Sequence, residues 1–336
     1  MKRIITAFVS IFCFAQVFAQ TFVEGDFSYS FIDSTEEVSV RAVSNKIAGD
    51  VIIPTIVKYK GCYYVVSKIE DGGFKECGGI SKLTLPNGLR TIGNEAFLSC
   101  NGITDLSLPH SVVSIGERAF QFCGSLTTIK LSNTLKHIGE AAFWGCKSLS
   151  FIKIPKSVVS IDKEAFLDCI ALSSVELTEG LKRIERATFS NCSALREIFI
   201  PLSVEEIAPQ AFWNCTSLQS ATLSANIKSI GDNAFARCFA LNSVYIGTNT
   251  DVELGNDVFD QCPRLKSVTI GKKQIILKKK PKIKSKKAIT KQRFALLILC
   301  FNFLKSSFNF LKQRFAELFL CFIFSRSGNA PLKLIL

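Results

Sequence analysis

Nine cysteines recur on a fixed beat. Cys77, Cys100, Cys123, Cys146, Cys169, Cys192, Cys215 and Cys238 stand 23 residues apart, and Cys262 follows after 24. A Phe lies three residues before each of them, from Phe74 to Phe259, and a Leu or Ile lies three residues after. An Ile lies eight residues before each of the first eight, from Ile69 to Ile230. A period of this length with aliphatics at constant offsets describes a solenoid, because one such unit can bury its apolar face only against its neighbours.

Within a unit the two halves have different periods. Ile129 and Leu131 alternate with Thr128 and Lys130, which predicts a strand with the aliphatics inward and the polar pair outward. In the other half, Ile138, Ala142, Phe143 and Cys146 fall at i, i+4, i+5 and i+8. That spacing predicts a short helix or 3₁₀ turn. Each coil is therefore expected to run strand, turn, helical return.

The phrase LPxxLxxIGxxAFxxC recurs along residues 77 to 271, as in Leu85-Pro86, Ile92-Gly93, Ala96-Phe97 and Cys100. On these residues the chain resembles the BspA-like leucine-rich repeat family. The resemblance implies an α/β solenoid of 23-residue coils, with a parallel β-sheet on the concave side. It also implies a secreted or surface protein that binds host or neighbouring-cell molecules, and not an enzyme.

The ends differ from the middle. Residues 1–19 open on Lys2-Arg3, continue as an apolar run from Ile4 to Val17 and end on Val17-Phe18-Ala19, which reads as a secretory signal peptide. The run is shorter than a bilayer span requires. Cys13 has no small residues before it and does not look like a lipoprotein cysteine. Residues 20–68 lack the repeat, but Phe27, Tyr29 and Phe31, then Val38 and Val40, alternate with polar residues. Val51-Ile52-Ile53 and Tyr63-Tyr64-Val65-Val66 are further strand-like runs, and Lys60-Gly61 marks a hairpin turn. A β-rich N-terminal cap is expected here, covering the first coil of a solenoid over residues 69–271.

Composition shifts after Gly271. Residues 272–336 hold 16 Lys or Arg and one acid, Glu317, a charge of +15; the preceding 271 residues hold 25 basic and 27 acidic. The whole positive charge thus belongs to the tail, and the repeats give no reason to expect a nucleic-acid partner. The tail repeats Lys-Gln-Arg-Phe-Ala at 291 and 312 ahead of apolar blocks too short to span a bilayer. Two readings stay open: a basic segment that contacts anionic membranes, or the readout of a shifted or extended reading frame. Neither predicts a folded domain.

Chemistry-bearing residues are sparse. The cysteine ladder invites disulfides, but equivalent side chains on stacked coils project in parallel, and each Cys lies in the apolar phase of its unit, so buried free thiols are expected. No C-x₂-C pair or His cluster points to metal, and no cofactor is expected. Asn191-Cys192-Ser193 and Asn214-Cys215-Thr216 match a glycosylation pattern by coincidence. His110 and His137 read as solvated surface residues. Glu176 and Glu197 fall on outward positions of adjacent coils, the basis of an alternative reading as a secreted hydrolase.

The outward rows of the predicted sheet are more informative. They set Phe151, Phe199 and Tyr245 among Lys130, Lys153, Glu176 and Glu197. Exposed aromatics ringed by charges have the composition of a binding patch. The expected function is an exported, adhesin-like protein that recognises an extracellular protein or glycan on this face without cofactors. A further alternative is a passive spacer attached to a membrane through the basic tail.

Overall fold

The computed structural model describes residues 21–276 apart from Ser34 and residues 248–251. The expected signal peptide and the basic tail lie outside the described residues. Six strands precede the repeats: β1 (Thr21–Glu24), β2 (Phe27–Phe31), β3 (Glu37–Ala42), β4 (Ala48–Ile52), β5 (Ile56–Tyr59) and β6 (Cys62–Ile69). The β5–β6 hairpin turns on Lys60 and Gly61, both with left-handed φ (47° and 84°), the geometry of a two-residue type I′ loop.

The repeats build two parallel sheets. The first takes β7 (Gly79–Thr84), β9 (Asp105–Ser107), β11 (Thr128–Lys130), β13 (Phe151–Ile154), β15 (Ser174–Leu177), β17 (Glu197–Phe199), β19 (Ser220–Leu223), β21 (Ser243–Ile246) and β23 (Ser267–Ile270). Their alternation is as expected: Thr128 and Lys130 are exposed, Ile129 and Leu131 buried. The second sheet is made of two-residue strands, β8 (Thr91–Ile92), β10 (Ser114–Ile115), β12 (His137–Ile138), β14 (Ser160–Ile161), β16 (Arg183–Ile184), β18 (Glu206–Ile207), β20 (Ser229–Ile230) and β22 (Glu253–Leu254). The pre-repeat segment extends both sheets, since β4 pairs in parallel with β7 and β6 with β8.

The predicted helical and 3₁₀ returns are not formed, and no helix occurs among the described residues. From Gly93 to Cys100, alternate amides bond locally, Ala96 to Gly93, Leu98 to Glu95 and Cys100 to Phe97. The amides between them, of Glu95, Phe97 and Ser99, donate to carbonyls of Glu117, Ala119 and Gln121 on the next coil at 2.7–2.8 Å. Glu95 and Ser99 have φ of 53° and 60°, which interrupts any right-handed run. The return is thus a series of tight turns stacked coil on coil. Their apolar spacing mimics a helix because three turns in succession also bring every third or fourth side chain inward.

That stacking creates the core. Phe74, Phe97, Phe120, Phe143, Phe166, Phe189, Phe212 and Phe235 are fully buried, and with Phe259 they form a column of rings with centroids 5.1–5.8 Å apart and planes within 3–19°. Phe27 of β2 closes the N-terminal end, its ring 6.1 Å from Phe74. Beside this column the cysteines are unbridged and buried. Each thiol from Cys100 onward donates to the carbonyl of the Phe on the preceding coil, Cys100 to Phe74 at 2.9 Å and the seven from Cys123 to Cys262 at 3.1–3.3 Å. A Cys suits this position because it fills a small apolar volume and satisfies a buried carbonyl.

The last coils are less tightly enclosed. Leu254 is 47% exposed where Ile230 of the preceding coil is 1% exposed. At the end of the first sheet, β24 (Lys273–Ile276) folds back antiparallel on β23 and pairs its edge.

Replacing one ring in the middle of the column tests its weight. Phe143→Ala is expected to lower the unfolding free energy by about 3–5 kcal/mol, read from the denaturant midpoint. The thiols give a second test. Burial pushes Cys77 up to about 11 and Cys123 and Cys215 up to about 12. Native protein should therefore leave these cysteines unalkylated from pH 7 to 9, and denatured protein should label them, as peptide mass spectrometry would read. Because the folded values lie above the unfolded ones, their contribution to stability is complete below about pH 8.5 and is lost as pH rises toward 12.

Candidate functional site

The seven residues singled out in the sequence all lie on the outward face of the first sheet. Phe151, Phe199 and Tyr245 are 45%, 59% and 46% exposed, and Lys130, Lys153, Glu176 and Glu197 are exposed with them. The strands hold them because their inward neighbours, such as Ile152, Ile198 and Val244, are locked in the core. Register fixes their relative places. Lys153 pairs with Glu176, Phe199 with Thr222, and Thr222 with Tyr245. At the usual spacing of strands, Phe199 and Tyr245 are therefore about 10 Å apart on one row.

The face is not one uniform surface. Its hydrogen-bonded ladders are interrupted between β7 and β9, between β11 and β13 and between β15 and β17. Lys130 belongs to the β9–β11 ladder, Phe151, Lys153 and Glu176 to the β13–β15 ladder, and Glu197, Phe199 and Tyr245 to the ladder that starts at β17. Lys153 and Glu176 form an ion pair, so Glu176 is tied to a cation on the neighbouring strand rather than to Glu197. Both members of the pair are about half exposed, which leaves their attraction screened by water.

An open trough of about 1290 Å³ crosses the face from β7 to β13 and reaches the turn after β15. Of the seven residues it takes in Lys130, Phe151 and Lys153, while Glu176, Glu197, Phe199 and Tyr245 lie outside its lining. Lys82, Asp105, Thr128, Lys156 and Glu179 also line it and were not singled out in the sequence. Lys82, Asp105 and Thr128 occupy the same outward rows, so the repeat could have located them. Lys156 and Glu179 sit in the turns after β13 and β15, where the repeat carries no outward pattern.

Two carboxylates of the trough are anchored. Asp105 accepts hydrogen bonds from the Thr128 and Thr104 hydroxyls, the second at 3.0 Å. These bonds, that from Thr128 foremost, hold its pKa below the ordinary aspartate value. Glu179 accepts from the backbone amides of Leu202 and Ser203 at 3.0 and 2.7 Å. Lys82, Lys130 and Lys156 form no ion pair among the described residues. On the second sheet, His137 lies exposed with Nδ1 2.9 Å from Ser160 Oγ. Thr128→Val should raise the Asp105 pKa toward the ordinary value without unfolding the coil, as a carboxyl carbon NMR titration would show.

Comparison with known proteins agrees with this geometry. The family profile of the BspA type leucine-rich repeat region matches in six copies over residues 67–196 and 159–280, more than half of the chain. A leucine-rich repeat protein from Bacteroides ovatus is similar at 29% identity with a TM-score of 0.63, over 74% of this chain and 71% of that one. A leucine-rich cell surface protein from Faecalibacterium prausnitzii is 19% identical with a TM-score of 0.36, over 68% of this chain and 94% of that one. The comparison with curated proteins found no match. Fold, repeat and profile together make the chain a member of the BspA-type leucine-rich repeat family.

Proposed function

We propose that this protein is a binding scaffold of the cell surface or the extracellular space, adhesin-like, which recognises an extracellular protein or glycan through the outward side chains of its first sheet. The observation that carries this reading is the exposure of Phe151, Phe199 and Tyr245 on strands whose opposite face is fully packed. Large apolar rings on a rigid surface lose little conformational entropy on association, and they are the residue types on which binding energy concentrates. The basic and apolar opening of residues 1–19 supports export.

Membership of this repeat family also supports a role without catalysis. The ion pair of Glu176 with Lys153 weighs in the same direction, since it turns the carboxylate toward the neighbouring strand and away from Glu197.

The test is a binding screen of the full chain against extracellular-matrix proteins and glycans, beside a variant carrying Phe151→Ser, Phe199→Ser and Tyr245→Ser. Saturable binding by the parent should weaken by about tenfold or more in the variant. The three rings are exposed, so the melting transition should move by only about a few degrees. Binding unchanged by the substitutions would move the site to the cap, the second sheet or the turns.

A further inference from the structure

The trough from β7 to the turn after β15 has a chemistry that the rest of the face lacks. Lys82, Lys130 and Lys156 converge on it with no carboxylate partner among the described residues, and Lys153 adds a fourth cation shared with Glu176. Asp105 and Glu179, its two carboxylates, are committed to hydroxyls and backbone amides. Between the cations lie the hydroxyls of Ser81, Thr104, Ser107 and Thr128, and the exposed ring of Phe151.

We propose that this trough binds an acidic glycan, a chain of sugars carrying carboxylates or sulfates, and that Lys82, Lys130 and Lys156 supply the cations that select it. The inference rests on the reading of the first sheet as a binding face and names the class of ligand that face takes.

Three observations favour this ligand. The trough crosses five coils, about 19 Å at the usual strand spacing, which is the reach of a short oligosaccharide. Lys82 and Lys130 are two coils apart, about 10 Å along the stack, so successive charged sugars of one extended chain can meet both. Each ammonium offers three donors to anionic oxygens, and the Ser107 hydroxyl can donate to or accept from a sugar hydroxyl. The Ser81, Thr104 and Thr128 hydroxyls, whose protons go to Asp50 and Asp105, can accept from one, and the Phe151 ring offers an apolar surface to the C–H face of a sugar ring.

An extended peptide fits less well. Peptides that join a sheet do so through free backbone groups at an edge, whereas this trough lies on the face of the sheet and presents side chains. A nucleic acid would want several stacking rings and a more strongly cationic path. The trough holds one aromatic residue, and Asp105 and Glu179 flank its lysines.

The experiment uses the full chain and its Lys82→Gln, Lys130→Gln, Lys156→Gln variant, so that any contribution of the basic residues 272–336 is common to both. Probes are tetragalacturonate, a sulfated chondroitin tetrasaccharide, their uncharged counterparts, a tetraglutamate peptide and a short single-stranded oligonucleotide, each titrated by calorimetry. Saturable binding of one or both acidic tetrasaccharides is expected, about tenfold weaker in the variant and weakened by salt, with the uncharged sugars silent. Which tetrasaccharide binds distinguishes carboxylate from sulfate. Because the three lysines are exposed and unpaired, the variant should melt as the parent does. Equal affinity of parent and variant, binding of uncharged sugars, or a preference for the peptide or the oligonucleotide would overturn the proposal. If the three-aromatic variant loses a ligand that the lysine variant retains, the acidic-glycan inference fails while the first-sheet reading stands; if neither variant changes binding, both fail.

Discussion

The structure depends on a hydrogen-bonding problem that each coil solves with the help of its neighbour. A tight turn leaves several amides and carbonyls without local partners, and burying them unpaired would cost more than the packing of one Phe returns. Here the amides of Glu95, Phe97 and Ser99 find carbonyls on the next coil, and the carbonyl of each Phe from Phe74 to Phe235 receives a thiol from the coil that follows. Stacking therefore satisfies polar groups and buries the rings in the same step. One coil alone could do neither, which is the physical content of a repeat that tolerates so little variation in spacing.

This constraint explains how much of the fold could be read in the sequence. The long strands were legible because Ile129 and Leu131 alternate with exposed partners. The second sheet was not, because a strand such as Ser114–Ile115 has two residues and offers no alternation to detect. The returns read as helical because Ile138, Ala142, Phe143 and Cys146 keep helical spacing, while the left-handed φ of Ala141 breaks the helix. Inter-coil hydrogen bonds, which decide that outcome, leave no trace in a local pattern. The parallel pairing of β3 with β6 escaped for a similar reason, since it joins segments that share no repeat.

The candidate site was half legible. Outward rows followed from the period, so Phe151, Phe199, Tyr245 and their charged neighbours were placed on the correct face. Their division among three ladders, and the trough that separates Lys130, Phe151 and Lys153 from the rest, depend on how neighbouring strands are spaced and on the turns that carry Lys156 and Glu179. Asp105 illustrates the gap. The period places it on an outward row, but only the stacking of coils makes it an acceptor for the Thr127 and Thr128 hydroxyls beside that of Thr104.

The inter-coil amides of the Phe turns donate to the following coil, from Glu95 to Glu117 near the start of the repeats and from Arg237 to Asp260 near their end, while amides such as those of Thr127 and Lys136 donate to the preceding one. A stack built this way has polarity: the upper surface of any coil complements only the lower surface of another. An uncovered terminus would be self-complementary in the head-to-tail sense, the arrangement that grows into filaments rather than closing into a dimer. Phe27 seated on Phe74, and β24 folded back on β23, then act as stops on polymerisation. A solenoid of identical coils needs such terminators to remain a particle of defined length.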